Sequence, residues 1–201
     1  MLLLKFKRIN IQHYNLNTRL AFIKESFKNI KTTGTIMPSS RFLIKKMLRD
    51  IDFDSVQLIV EYGAGNGIIT KQILNKMNVN TTLICFEIND EFYKHLQQIN
   101  DQRLIVLKQS AAAISSILKA YNLSSVDYFI SSLPLAIMPL DLSKNILNQS
   151  KLVLKNGGLF VQYQYSTNFL KNFKQIFGKN KVHLNFEILN LPPAFIYKCI
   201  K

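Results

Sequence analysis

Across residues 16–31 the apolar side chains Leu16, Leu20, Ile23, Phe27 and Ile30 recur at steps of four, three, four and three. That spacing draws one apolar stripe along a helix, with Arg19, Lys24, Lys28 and Lys31 on its other faces. The turn-rich stretch Thr33-Gly34-Thr35-Ile36-Met37-Pro38-Ser39-Ser40 then supplies serines able to cap a helix from Arg41 to about Leu48. From Leu58 the pattern changes to short apolar runs at 58–62, 82–87, 104–107, 128–132 and 159–165, separated by stretches of helical length at 68–77, 91–98, 111–120 and 141–153. With 168–177 as the last helix, this is the alternation of parallel strands and crossover helices. The tail differs. Val182, Leu184, Phe186 and Ile188 alternate with His183, Asn185 and Glu187, and after Leu191-Pro192-Pro193 comes the apolar run 194–200. These two segments predict a closing antiparallel edge pair. The pattern thus gives one α/β domain over 1–201: a helical extension over 1–50, then a seven-stranded, mostly parallel core over 51–201.

Composition agrees with a folded core. Hydrophobic residues make up 48% of the chain and charged ones 19%, with no linker-like or low-complexity run. Cys85 and Cys199 match no metal-ligand or redox spacing and sit in strand-like surroundings, so buried free thiols are expected and no metal site. The start, MLLLKFKRIN, places its charges after a very short apolar run, the reverse of a secretory signal, and no window approaches the roughly 20 apolar residues of a spanning helix. A cytoplasmic protein, peripheral at the inner membrane surface, is expected. The formal charge of +14 is uneven: residues 1–50 hold eleven Lys and Arg against Glu25 and Asp50, a net +9, which leaves +5 for the rest. A basic region of this kind attracts polyanions, either an anionic membrane surface or nucleic acid.

The first strand ends in Glu61-Tyr62-Gly63-Ala64-Gly65-Asn66-Gly67 and runs straight into a helix. Three glycines there mark a backbone that turns tightly and lets a ligand come close. Their spacing, G-x-G-x-G with an acid two residues earlier, resembles motif I of class I S-adenosylmethionine (SAM) dependent methyltransferases more than the dinucleotide pattern G-x-G-x-x-G. At the end of strand two stands Glu87, whose carboxylate can accept both hydroxyl hydrogens of a ribose. The resemblance implies a Rossmann-like fold with SAM as cofactor. It places the cofactor among Met37, Ser39 and Ser40 before the sheet, Glu61, Gly63, Ala64, Gly65 and Gly67 in the first turn, Glu87 and Ile88, Ser110 and Ala111 beside the adenine, and Ser131.

Thr35-Ile36-Met37-Pro38-Ser39-Ser40-Arg41-Phe42-Leu43, Ser131-Ser132-Leu133-Pro134-Leu135 with Met138-Pro139, Phe160-Val161-Gln162-Tyr163 and Leu191-Pro192-Pro193-Ala194 narrow the likeness. In this order they resemble bacterial phospholipid N-methyltransferases, which methylate phosphatidylethanolamine; related members act on ornithine lipids. The resemblance implies methyl transfer to a lipid headgroup amine, and Ser131, Ser132, Leu133, Pro134 and Tyr163, with Tyr165, are the candidates for positioning that amine. On this reading the 16–31 helix lies on an anionic membrane, apolar stripe inward and cations toward phosphates; the alternative is a helix packed over the cofactor cleft as a lid, with its basic back in solvent. Two other readings stay open. Ribosomal RNA adenine dimethylases share the fold, but their Asn-Leu-Pro-aromatic loop corresponds here to Ser132-Leu133-Pro134-Leu135, without a stacking ring or an amide. A basic protein of this fold that only binds RNA or a partner is the other.

Overall fold

Leu58–Tyr62 forms β1, and all five residues are buried, as a central strand covered by helices on both faces requires. The computed structural model describes residues 39–201; the 16–31 stripe and Met37 lie outside the described residues. Before β1 stands α1 (Arg41–Leu48). After it come α2 (Ile68–Leu74), β2 (Thr82–Phe86), α3 (Asp90–Leu96) and β3 (Leu104–Leu107), then a 3-10 turn (Ala111–Ala113), α4 (Ile114–Ala120) and β4 (Val126–Ser131). The chain continues through α5 (Leu140–Val153), β5 (Leu154–Gln164), α6 (Leu170–Phe177), β6 (Val182–Glu187) and β7 (Ala194–Ile200). The seven strands make one sheet in the order β3-β2-β1-β4-β5-β7-β6. β1 to β5 pair in parallel, and β7 runs antiparallel between β5 and β6. The carboxyl ends of β1 to β5 and of β6 therefore share one edge of the sheet, the edge where open α/β sheets bind ligands.

Two cores hold the layers together, because successive strand residues point to opposite faces. Val60, Tyr62, Phe129 and Phe160 face α4, α5 and α6; Ile59, Leu83, Cys85 and Val161 face α1, α2 and α3. Tyr62 carries the first core. Its ring lies 5.2 Å from Phe129 and 5.4 Å from Phe86, and its buried phenol is satisfied by Ser150 of α5 at 3.1 Å. Cys85 and Cys199 are buried and free.

α1 belongs to the body of the fold although the pattern assigned it to the extension. Ser40 caps it, its hydroxyl accepting from the Leu43 amide at 3.2 Å, and Leu43 and Met47 are wholly buried. Its far end is tied to β7 by the Asp50–Lys198 ion pair, which also holds the Asp50 carboxyl below its usual range.

Two strands depart from the periodicity. β5 begins at Leu154 rather than Leu159, because Leu154 pairs with Val126 across an irregular rung. Apolar runs miss this rung because Lys155-Asn156-Gly157-Gly158 looks like a break. Gly158 lets two backbones close up: a Cβ there would sit 2.9 Å from the Asp127 carbonyl. In β6 the apolar row is not a buried face, since Leu184 and Phe186 are 39% and 46% exposed while Glu187 is buried.

Candidate cofactor site

Backbone bonds lace together the loops that leave β1, β2 and β4. The Gly63 amide donates to the Phe86 carbonyl and the Ser132 amide to the Tyr62 carbonyl, both at 2.9 Å. Gly63, Gly65 and Gly67 all have left-handed φ, at +70°, +55° and +77°, which L side chains adopt only with strain. The three glycines do different work, which corrects the expectation that all of them clear room for a ligand. A Cβ on Gly67 would lie 3.0 Å from Leu96 and 3.4 Å from Ile99, so this glycine lets α3 pack against the turn. One on Gly63 would meet Leu133 at 3.2 Å, whereas one on Gly65 would meet nothing nearer than 3.9 Å. Gly65 is thus the position whose missing side chain leaves open space. Ala64 buries its methyl in the α1–α3 core and offers only backbone.

Glu87, one residue past β2, faces this turn. Its Oε2 accepts the Gly65 amide and its Oε1 the Asn89 amide, each at 2.8 Å. It is 5% exposed, and burial raises its pKa against the pull of the Asn89, Gly65 and Ile88 amides. A carboxylate has about four acceptor positions, so capacity remains for the hydroxyls of a ribose. Glu61 lies beneath the turn, fully buried. Its Oε2 accepts from Thr70 at 2.7 Å and from the Cys85 thiol at 3.1 Å; its Oε1 is buried with no partner. Burial lifts its pKa to about 7, with Thr70 and Cys85 opposing the rise.

Between the strand ends a narrow cleft is lined by Gly63, Glu87, Ile88, Ser110, Ala111 and Leu133, among others. It measures about 20 Å³, room for roughly one water, because the Leu133 side chain lies over Gly63. A nucleoside seated over Gly63 would require Leu133, 3.2 Å from a Cβ placed there, to move. Ser110 turns its hydroxyl to the Ala112 amide at 3.3 Å and so starts the 3-10 turn, leaving backbone and the Ala111 methyl toward the cleft. A far larger cavity, about 570 Å³, lies between α1 and α2 and includes Ser39. Its lining has Arg41, Lys45, Arg49 and Lys76 but no carboxylate, so its only side-chain acceptors for ribose hydroxyls are the uncharged Ser39 and Gln72; size and chemistry disagree here, and the carboxylate favours the smaller cleft. Ser39 is accordingly placed in the larger cavity, and Ser40 is committed to capping α1 and, through its amide, to Asn190 at 2.9 Å.

The loop after β4 is held by residues to which the pattern assigned no role. Gln162 donates to the Leu133 carbonyl at 2.9 Å and to the Tyr163 carbonyl at 2.6 Å, and Gln164 donates to the same Leu133 carbonyl at 3.1 Å. Both glutamines are buried. Two amides on one face of an otherwise apolar strand are the signal that could have found them, since a buried amide needs a partner. Ser131 is wholly buried and accepts the Leu133 amide at 3.4 Å, and the Pro134 carbonyl takes the Ile137 and Met138 amides. The carbonyls of Leu133 and Pro134, two of the residues expected to position a substrate amine, are therefore engaged within the protein; Ser132, half-buried, precedes them in the loop. Tyr163 projects to the α1 face, away from Leu133, and meets Tyr165 edge to face at 5.7 Å. Burial and the neighbouring Tyr163 push the Tyr165 phenol upward.

These residues fit SAM: a carboxylate for the ribose, an open glycine, and an unpartnered acid oxygen below the turn. Gly65→Val should therefore lower SAM affinity by about 100-fold or more while the chain still folds, the left-handed φ costing about 1–2 kcal/mol. Calorimetric titration beside a thermal melt checks this; unchanged affinity would place the cofactor elsewhere.

No family model matches the sequence. An ornithine lipid N-methyltransferase from Singulisphaera acidiphila is 28% identical over 180 residues, which span 89% of this chain and 93% of that one. A 1,6-didemethyltoxoflavin-N1-methyltransferase from Burkholderia thailandensis, solved with bound S-adenosylhomocysteine, superposes with a TM-score of 0.64 over 96% of this chain and 93% of its own, at 11% identity. An rRNA methylase from Streptococcus thermophilus does so at 0.58 over 83% and 98%, at 12% identity. Identities this low speak for the fold, and the sheet order, glycine turn and acids at the ends of β1 and β2 agree with it. The chain has the fold of class I SAM-dependent methyltransferases and is similar along most of its length to one lipid N-methyltransferase.

Proposed function

We propose that the chain methylates the headgroup amine of an amino lipid, with phosphatidylethanolamine or an ornithine lipid as acceptor. The observation that carries this reading is the similarity, along nearly the whole of both chains, to the ornithine lipid N-methyltransferase. SAM, when bound, supplies an electrophilic methyl group on a sulfonium. Glu87 and the Gly65 turn hold the nucleoside. Gln162 and Gln164 fix the Leu133 carbonyl and with it the loop that borders the cleft, so that donor and acceptor meet in one geometry with water kept out. The acceptor must arrive as a neutral amine, because an ammonium has no lone pair; desolvation at the apolar loop Leu133-Pro134-Leu135 favours that form. Methylation of RNA has less support, since this loop offers no ring on which a base could stack.

Labelled SAM with vesicles of phosphatidylethanolamine, vesicles of ornithine lipid, or ribosomal RNA tests the reading. Label in either lipid fraction, rising with pH as the amine loses its proton, is the expected result. Label only in the RNA, or in none of the three, overturns it.

A further inference from the structure

Eleven large apolar side chains are exposed among the described residues, and their placement is one-sided. Phe186, Ile188, Leu189 and Leu191 come from the end of β6 and the loop behind it; Ile137 and Leu140 follow β4; Phe42 opens α1 and Tyr165 follows β5. These eight ring the edge of the sheet where the cofactor cleft opens. Val79 and Leu152 lie at the opposite edge, and Leu184 midway along β6.

The loop over 188–193 is the most prominent part of this rim, with Ile188, Leu189 and Leu191 at 69%, 59% and 65% exposure. Its shape is fixed from within. Asn190 is 3% exposed, accepts the Ser40 amide at 2.9 Å and donates to the Pro192 carbonyl at 2.7 Å. Glu187 accepts the Leu189 amide at 2.9 Å and pairs with Lys46 at 3.1 Å, and Lys46 also donates to the Phe186 carbonyl. The polar groups named here turn inward while the aliphatic ones are left in water, an arrangement that marks a contact surface. Beside it the first turns of α1 carry Arg41, Lys45 and Lys46, with Arg41 over the Phe42 ring at 4.8 Å.

We propose that the 188–193 loop, with Phe186, inserts into an anionic bilayer, so that the cofactor cleft opens onto the lipid surface. This rests on the amino-lipid reading and adds the orientation of the site. Apolar tips flanked by cations suit the boundary between acyl chains and anionic headgroups. A second copy of this chain is disfavoured by the +14 charge on each molecule, and aliphatic tips give a nucleic acid nothing to pair with.

The chain has no tryptophan, so Leu189→Trp introduces a lone indole reporter at the loop, and Val79→Trp, at an 82% exposed site on the far edge, is its control. Vesicles of phosphatidylglycerol, which carries no amine, keep binding separate from turnover. The expected result is a blue-shifted, bromolipid-quenched emission for Leu189→Trp and an unshifted one for Val79→Trp. Ile188→Ser/Leu189→Ser/Leu191→Ser should lower vesicle partitioning about tenfold while SAM binding and methylation of a detergent-dispersed amino lipid persist. An unshifted Leu189→Trp overturns the proposal, whether the protein sediments with vesicles through another segment such as residues 1–38 or does not bind at all. Loss of methylation of the dispersed lipid by the unsubstituted protein would instead strike the amino-lipid reading.

Discussion

Glu87→Ala should lower the affinity for SAM about 100-fold. Hydrogen bonds to a charged group contribute about 1.5–3 kcal/mol each, and two ribose hydroxyls on one carboxylate therefore stand to lose at least the roughly 2.7 kcal/mol that a factor of 100 represents. The same substitution strips an acceptor from the Gly65 and Asn89 amides, now bonded at 2.8 Å, so the turn loosens as well. Glu87→Gln keeps one acceptor oxygen without the charge and should fall between the two. Calorimetry with S-adenosylhomocysteine gives the ratio, and a thermal melt separates lost binding from lost folding. Equal affinity for all three proteins would mean that the end of β2 is not where the sugar lies.

The second large effect concerns stability against pH. Glu61 titrates near 4.5 when unfolded and at about 7 in the fold. Below the lower value both states hold the proton and the group costs nothing. Between the two the unfolded chain ionises while the folded one does not, so unfolding is favoured increasingly as pH rises. Above about 7 the full cost, about 3 kcal/mol from the 1.36 kcal/mol carried by each pKa unit, is in place. Glu87 is raised too and acts in the same direction. Asp50, Asp101 and Glu187 are lowered and have the opposite sign, with their stabilisation lost at the acid end instead. Glu61→Gln should flatten the decline between about pH 4.5 and 7, and the difference between the two proteins in urea melts isolates the buried acid. A slope that survives the substitution would assign the titration to another group.

The strand and helix alternation was legible because each parallel strand is an apolar run bounded by turn residues, and β1 kept the 58–62 limits that its pattern predicted. The positions of the acids at 61 and 87, within β1 and just past β2 beside the glycine turn, were legible for the same reason. What the pattern could not carry was side-chain direction beyond the strand. Three glycines look alike in sequence, yet Gly67 answers to Leu96 and Ile99 while Gly65 faces open space. The loop after β4 reads in sequence as the place where a substrate amine is positioned, yet Gln162 and Gln164 already occupy the Leu133 carbonyl. Ser39 and Ser40 matched a motif but serve the α1 side of the molecule. For the glycines and the loop after β4 the deciding partner is distant in sequence, and local spacing holds no record of it; the Ser40 cap, by contrast, was legible from its neighbours.

A crystal structure with S-adenosylhomocysteine would test the placement of the cofactor most directly. The nucleoside is expected over the Gly65 turn, its ribose hydroxyls about 2.6–3.2 Å from the Glu87 carboxylate, with Leu133 rotated off Gly63. A nucleoside seated instead in the cavity between α1 and α2, with Glu87 still bound only to the protein's own amides, would contradict it.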